Sequence, residues 1–408
     1  MKMNSGLGAV VVLTAAAIAI PSAAWSKDIS GNVIKIGIMN DQSGPYADNC
    51  GAGSTAAARL AIEDAGGAIN GKKIEVLVVD DQNKPDVGAA AAHRWVDQDG
   101  VDVIVGCSAS SIAGAVSEIM KERQKPYMLA GTAAGFLTNE RCSPMNVQWV
   151  QDTYSMSKSS MEAMLEQGKK TFFFITVDYA FGKAWQDDAT KVIEAKGGKV
   201  LGTALHPLNT NDFSSYLLKA QASGAEVIAI ANAGADVANT IKQAAEFGVG
   251  KGKQVLAPLG MLINNVHSIG LDNLEGVRIT APFYWDRNDE TRAFAARYRN
   301  AYNGRYPNEM QSATYSAVAH YLKAVAKTGT DDGPTVVAEM RKIPVNDFEM
   351  KNVSIRADGQ VLRPVYGIRI KGKKETKGTY DYYEVASTIS PDRVWRPAAE
   401  SACPLLKQ

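Results

Sequence analysis

The sequence predicts an α/β protein of two Rossmann-like lobes with parallel sheets, joined by a three-segment hinge. Three observations predict it. Two stretches, VDVIVGCSASSIAGAVSEIM (101–120) and AEVIAIANAGADVANTIKQA (225–244), share one pattern: an apolar strand, a loop of small residues, and a helix with apolar positions at helical spacing. Strand-like and helix-like segments alternate from Val33 onward, the order that parallel sheets with right-handed crossovers require. At 408 residues the chain is too long for one small domain and suits two of ordinary size.

Residues 1–26 differ from the rest. After Lys2 no charge appears until Lys27, residues 9–20 are apolar apart from Thr14, and Pro21 and small residues close the stretch. It resembles a secretory signal peptide cut near Ala24 or Ser26, and it is short for a membrane span. A soluble, exported, monomeric protein is expected.

In the first lobe VIKIGIMN (33–40), KIEVLVVD (73–80), VDVIVGC (101–107) and PYMLAG (126–131) read as strands. Helices near 53–64, 85–98 and 111–123 lie between them, and Pro85 suits a first helical turn. In the second lobe TFFFITV (171–177), KVLGTALHP (199–207), EVIAIAN (226–232) and QVLAPLG (254–260) are the strands. EGVRITAPFYW (275–285) then leads into two long helical patterns, 289–303 and 310–328, which are expected to return to the first lobe. Strands near 361–371 and 379–386 would cross again. The expected lobes are 27–149 with 284–356 and 150–283 with 357–390, followed by a tail, 391–408. Three crossings make a hinge, and a hinge between two ligand-binding sheet edges implies closure around a solute.

Composition excludes several classes. Lys+Arg 44 against Asp+Glu 43 gives a net charge of +1, so there is no basic footprint for nucleic acid or an anionic membrane surface. Cys50, Cys107, Cys142 and Cys403 permit two disulfides, in three possible pairings, in an oxidising compartment. They form no CxxC and no metal-ligand spacing, so neither metal nor cofactor is expected. Gly51, Gly53 and Ala56 spell G-x-G-x-x-A before a helix, but about ten residues separate them from the first strand where a dinucleotide fingerprint needs a tight turn. There is no G-x-S-x-G, H-E-x-x-H or P-loop lysine, and His93, His206, His267 and His320 are scattered, so nothing points to catalysis.

What the pattern does offer is an anion seat. A strand that runs through Ser108, Ala109, Ser110 and Ser111 into a helix leaves unpaired N–H groups at the positive end of the helix dipole. The loop from Asn232 to Asp236 is its counterpart in the second lobe. Either turn alone fits an ordinary strand-to-helix turn without ligand equally well. Aromatic residues fall at strand ends and crossings, where two lobes would meet: Tyr46, Tyr154, Tyr179, Phe181, Phe283, Tyr284 and Trp285. Each one singly is more often packing, but together they favour an aromatic-lined pocket.

The segments IGIMNDQSGPYA (36–47), DDQNKPDVGAAAAHRWV (80–96), GCSASS (106–111), LAGTAAGFLT (129–138), VDYAFGKAW (177–185) and HPLNTNDFSSYLLKAQ (206–221) resemble the branched-chain amino acid binding family. These are type I periplasmic binding proteins of ABC importers. The resemblance covers nearly the whole chain after residue 26. It implies a periplasmic receptor without catalysis, which captures a small carboxylate and delivers it to inner-membrane permease subunits. It further implies that the carboxylate is held by Ser108, Ala109 and Ser110 and by Gly131, Thr132 and Ala133, with Phe181 covering the ligand. Amino-acid-binding members carry an acid in the loop occupied here by Gly260, Met261, Leu262, Ile263 and Asn264, where it pairs with the ligand's ammonium; this chain has none there. A buried ammonium without a partner is costly, which favours a ligand lacking one.

HPLNTNDFSS, FYWDRND (283–289) and SAVAHYLKAV (316–325) are similar to a subgroup associated with benzoate and phenylpropanoid-type acids. Tyr154, Phe181 and Tyr284 would then sandwich the apolar body. Asp178 or Asp236 would have to serve an ammonium if the ligand were leucine-like. The subgroup resemblance also implies a Cys142–Cys403 disulfide tying the tail back, and leaves Cys50 and Cys107 undecided.

Overall fold

The computed structural model describes Met1 and residues 28–250 and 252–407, so the signal-peptide segment lies outside the described residues. Among the described residues thirteen strands form three sheets. The first has the order β2-β3-β1-β4-β5-β6: β1 (Val33–Asn40), β2 (Ala68–Ile69), β3 (Lys72–Asp80), β4 (Val103–Cys107), β5 (Tyr127–Leu129) and β6 (Asn146–Gln148). All its pairings are parallel except that of two-residue β2 with β3. The helices α1 (Gly51–Asp64), α2 (Pro85–Arg94) and α3 (Ser110–Glu122) connect its strands.

The apolar runs of β1 and β4 are buried on both faces, as a covered parallel sheet requires, while β3 nearer the sheet edge is only partly buried. Ile34, Ile36 and Ile38 pack on one face with Ala58, Trp149 and Val318, while Met39 and Ile104 pack on the other with Trp95, Ile112 and Val116. Each such fully buried side chain contributes roughly 1.5–3 kcal/mol relative to exposure.

The second sheet has the order β10-β9-β7-β8, wholly parallel: β7 (Thr171–Val177), β8 (Lys199–His206), β9 (Val227–Ala231) and β10 (Val255–Pro258). It carries α4 (Thr153–Glu166), α5 (Ala180–Ala195), α6 (Ser214–Ala222), α7 (Ala235–Glu246) and α8 (Ile263–Ile269). The sequence pattern did not foresee the third sheet. In it β11 (Arg278–Ala281), β12 (Val365–Ile370) and β13 (Tyr383–Ile389) run antiparallel, and their inner residues share a core with Val237, Ile241 and Val266 of α7 and α8. Antiparallel strands far apart in sequence carry no local signal of their pairing.

Between β11 and β12 the chain returns to the first sheet. The helices α9 (Asp289–Ala301) and α10 (Glu309–Thr328) pack there against α1, and α11 (Gly333–Lys342) packs on α10. Asn288 and Asn308 cap α9 and α10 through capping boxes, which fixes where each helix begins. The third passage runs beside the first: the Gln148 amide donates to the Gly359 carbonyl (2.8 Å) and the Val361 amide to the Gln148 carbonyl (3.1 Å). Buried Arg363 ties the second and third passages, donating to Glu349 Oε1 (3.0 Å) and to the Pro282 carbonyl (2.6 Å).

Cys142 is bonded to Cys403, so the tail is tied back across the first passage, and the Ala402 amide adds a bond to Asn139 Oδ1 (2.7 Å). Cys50 is bonded to Cys107, which settles the pair the sequence left open. No helix among the described residues is long and apolar enough to cross a membrane.

Candidate ligand-binding site

The C-terminal ends of β1, β4 and β5 carry three loops that meet one edge of the second lobe. The lobes touch there. The Ala235 amide donates to the Pro45 carbonyl (3.0 Å), Asn264 Nδ2 donates to the Asp48 carbonyl and to Asn49 Oδ1 (both 3.2 Å), and Asn308 Nδ2 donates to Asn264 Oδ1 (3.1 Å). Gly234, at φ +62°, makes this approach possible: a Cβ there would sit 2.4 Å from the Pro45 carbonyl oxygen.

Between the lobes lies a cavity with about 50 Å³ of free volume, room for a few water-sized groups. The first lobe supplies Tyr46 and Asn49 from the loop after β1, and Cys107, Ser108, Ala109 and Ser110 from the start of α3. Gly131 and Ala133 come from the loop after β5, and Met310 from the first turn of α10. The second lobe supplies Tyr179, Phe181 and Ala233.

The start of α3 is open toward this space. Ala109 stands at the N-cap position and offers no side-chain acceptor, so the first amides of the helix are left to whatever fills the cavity. Ser110 is buried, and its hydroxyl has no partner among the described residues. The two loops on this side are clamped together: the Ser108 amide donates to Thr132 Oγ1 (3.2 Å), and that hydroxyl donates to the Ser108 carbonyl (2.8 Å). Thr132 is thus a brace behind the seat.

Tyr46 and Tyr179 join hydroxyls across the cleft at 2.8 Å. Only one of the two protons serves that bond, so the pair keeps one donor for a third group. Burial first, then the neighbouring hydroxyl and Asp236, raises the Tyr46 pKa well above the usual phenol value, which keeps it a donor.

Several residues expected at the site are placed elsewhere. Tyr154 lies under the tail, its hydroxyl donating to Glu400 (3.1 Å) and its ring covered by Arg396 (4.0 Å). The Tyr284 hydroxyl donates to Asp381 (3.2 Å), and Met261 packs in the core around the third sheet. Asn232 Nδ2 meets His206 Nε2 (2.9 Å) and Thr240 Oγ1 (3.1 Å). Both oxygens of Asp236 accept backbone bonds, from Asn209 (3.1 Å) and Thr210 (3.0 Å), and burial pushes its pKa up to about 6. Asp178 pairs with Lys183 (2.8 Å) at the surface.

In each case proximity to a crossing or loop was visible in the sequence, but the side chain's own partner was not. Conversely, Asn49 and Met310 were missed, Cys107 and Ala233 lie in the two turns read from the sequence but were not singled out as ligand contacts, and Tyr179 was noted only as one aromatic among several. The signal for Met310 is the Asn308 cap, which aims the first turn of α10 at the loop after β1 through a bond to the Asn49 carbonyl (2.8 Å).

No charged side chain lines the cavity, and no cluster of His, Cys, Asp or Glu among the described residues is arranged to hold a metal ion. Two lobes closing on a neutral, partly aromatic cavity define a solute-binding protein. The profile of the periplasmic binding protein family matches residues 33–377, and the chain belongs to that family.

A periplasmic binding protein from Burkholderia mallei is 42% identical, with 92% of this chain and 99% of that one covered and a TM-score of 0.89. A branched chain amino acid ABC transporter periplasmic ligand-binding protein from Burkholderia xenovorans is 35% identical, covering 91% of this chain and 100% of that one, with a TM-score of 0.80. A Leu/Ile/Val-binding protein homolog 4 from Brucella abortus is 25% identical over 93% of this chain and 94% of its own. The chain is accordingly a substrate-binding protein of the ABC-transporter type and not an enzyme.

Proposed function

We propose that this protein captures a small aromatic or similarly hydrophobic carboxylate in the periplasm and delivers it to inner-membrane permease subunits. The carrying observation is a cavity with helix-start amides and free hydroxyls but no acidic side chain. A carboxylate finds donors there, whereas an ammonium would be buried without a counter-charge, at a cost of several kcal/mol. The start of α3 at Ala109 and Ser110, with the Thr132 and Ala133 amides beside it, takes the anion in this reading, Ser108 holding the loop through Thr132 and the Met39 carbonyl (3.3 Å), and Phe181 and Tyr179 cover the apolar body. The lobes that close are 27–149 with 284–356 and 150–283 with 357–390.

A second reading, a branched-chain amino acid receptor, is favoured by the names of the Burkholderia xenovorans and Brucella relatives. Asp236 would then have to give up its backbone partners to meet the ammonium.

A thermal-shift panel separates the two, with leucine, isoleucine and valine beside benzoate, hydroxybenzoate, coumarate and phenylacetate. At a hundredfold excess over Kd one site adds about 2.7 kcal/mol, a shift of a few degrees. A response to aromatic acids alone supports the first reading. A response to leucine alone overturns it.

A further inference from the structure

Three sulfur atoms meet at one wall of the cavity. Met310 Sδ lies 3.7 Å from Cys50 Sγ and 3.8 Å from Cys107 Sγ, and Cys107 and Met310 both face the space where a ligand would lie. Cys50 is fully buried behind them, at the N-cap of α1.

Gly131 keeps this wall bare. A Cβ at that position would fall 1.9 Å from Cys107 Sγ and 2.9 Å from Cys50 Sγ, so no other side chain can be placed between the disulfide and the loop that carries it. The facing lobe answers with Tyr179 and Phe181, whose rings lie 5.9 Å apart.

We infer that the Met310–disulfide wall selects for an aromatic ring over a saturated ring or branched alkyl group of the same size. The inference rests on the carboxylate reading above and deepens it. Sulfur is soft and polarisable and interacts favourably with the positive edge of an aromatic ring. A cyclohexyl ring or a leucine side chain fills similar space but has no such edge. A carboxylate seated at the start of α3 would bring its ring beside this wall, because Cys107 directly precedes Ser108.

Benzoate and cyclohexanecarboxylate share the carboxylate and differ in the ring. Titration calorimetry of the full-length mature protein and of Met310→Leu with both acids reads the difference. Leucine conserves the volume, so packing should be little disturbed. The wild type is expected to prefer benzoate, and Met310→Leu should lower the benzoate-to-cyclohexanecarboxylate affinity ratio about two- to tenfold, the equivalent of one sulfur–aromatic contact.

Equal affinity of the wild type for the two acids overturns the inference while the carboxylate reading stands. So does a preference that Met310→Leu leaves untouched. Binding of leucine with neither acid bound overturns both. If Met310→Leu lowers the ligand-free melting point, Met310→Ile makes the same comparison, and a wild-type ratio of one overturns the inference without any variant.

Discussion

The turn from β4 into α3 and the turn from β9 into α7 carry nearly the same sequence pattern, and the fold uses them in opposite ways. In the first, Ala109 leaves the helix start uncapped and Ser110 keeps a free hydroxyl, so polar capacity faces the cavity. In the second, Asn232 Nδ2 is spent on His206 and Thr240 while its Oδ1 is buried without a partner among the described residues, Asp236 accepts from two backbone amides, and Gly234 presses against Pro45. One turn opens on the cavity and the other is a contact between lobes. Hydrophobic periodicity locates such turns; which groups satisfy them decides what they do.

The strongest test of the first turn is Gly131→Ala. Its Cβ would overlap the disulfide sulfur, so one of the two must move. Overpacking of this kind costs on the order of 3 kcal/mol, and denaturant unfolding should show it along with loss of ligand binding. If stability and affinity are unchanged, the loop is not fixed against the disulfide. Gly234→Ala tests the second turn. The substitution is strained at φ +62° and meets Pro45, so closure should fail and affinity fall about a hundredfold, or ~2.7 kcal/mol. Stability of the separate sheets should change less than ligand affinity. An unchanged Kd by calorimetry would mean that the lobes close without this contact.

Much of this was legible in the sequence, for reasons that differ by residue. The buried strands β1, β4, β7 and β9 are apolar runs bounded by turns, so both parallel sheets could be read directly. Ser108 and Ser110 were legible because a helix start next to small hydroxyl residues is a local feature. Tyr154 and Tyr284 were misplaced at the site because an aromatic near a crossing can face either the cleft or the tail, and the partners that decide, Glu400 and Asp381, lie 246 and 97 residues away. For Met310 the Asn308 cap was the one local signal, and its neighbours Cys107 and Cys50 are 203 and 260 residues distant.

Thr132→Ala is expected to have a milder effect than either glycine substitution. It removes both bonds between the Ser108 and Thr132 loops, each worth roughly 1 kcal/mol, and leaves the seat's own donors in place. Affinity for the acid that responds in the panel should drop about tenfold, ~1.4 kcal/mol, with a loss of stability of similar size. A tenfold loss without any change in stability would move Thr132 from brace to direct ligand contact.

The last expected effect is in the second turn and depends on pH. Burial raises Asp236 to about 6 in the folded protein, against about 3.9 for an unperturbed Asp. The folded state therefore holds this proton over a range where the unfolded state has released it. Below pH 4 both states are protonated, and the group contributes no pH dependence. Between about pH 4 and 6 stability falls as pH rises, and above 6 the ionised, buried carboxylate remains as a constant penalty of about 3 kcal/mol, with the two amides it accepts already reflected in the shifted pKa. Asp236→Asn should flatten this part of the profile, so that the difference in unfolding free energy between pH 4.5 and pH 7 shrinks by about 2 kcal/mol. A profile that the substitution leaves unchanged would show that Asp236 titrates as it does in the unfolded chain, and one in which the substitution removes a gain of stability with rising pH would show it held ionised by a countercharge. The second turn would then have the electrostatics of an ammonium site, and the contrast between the two turns would disappear.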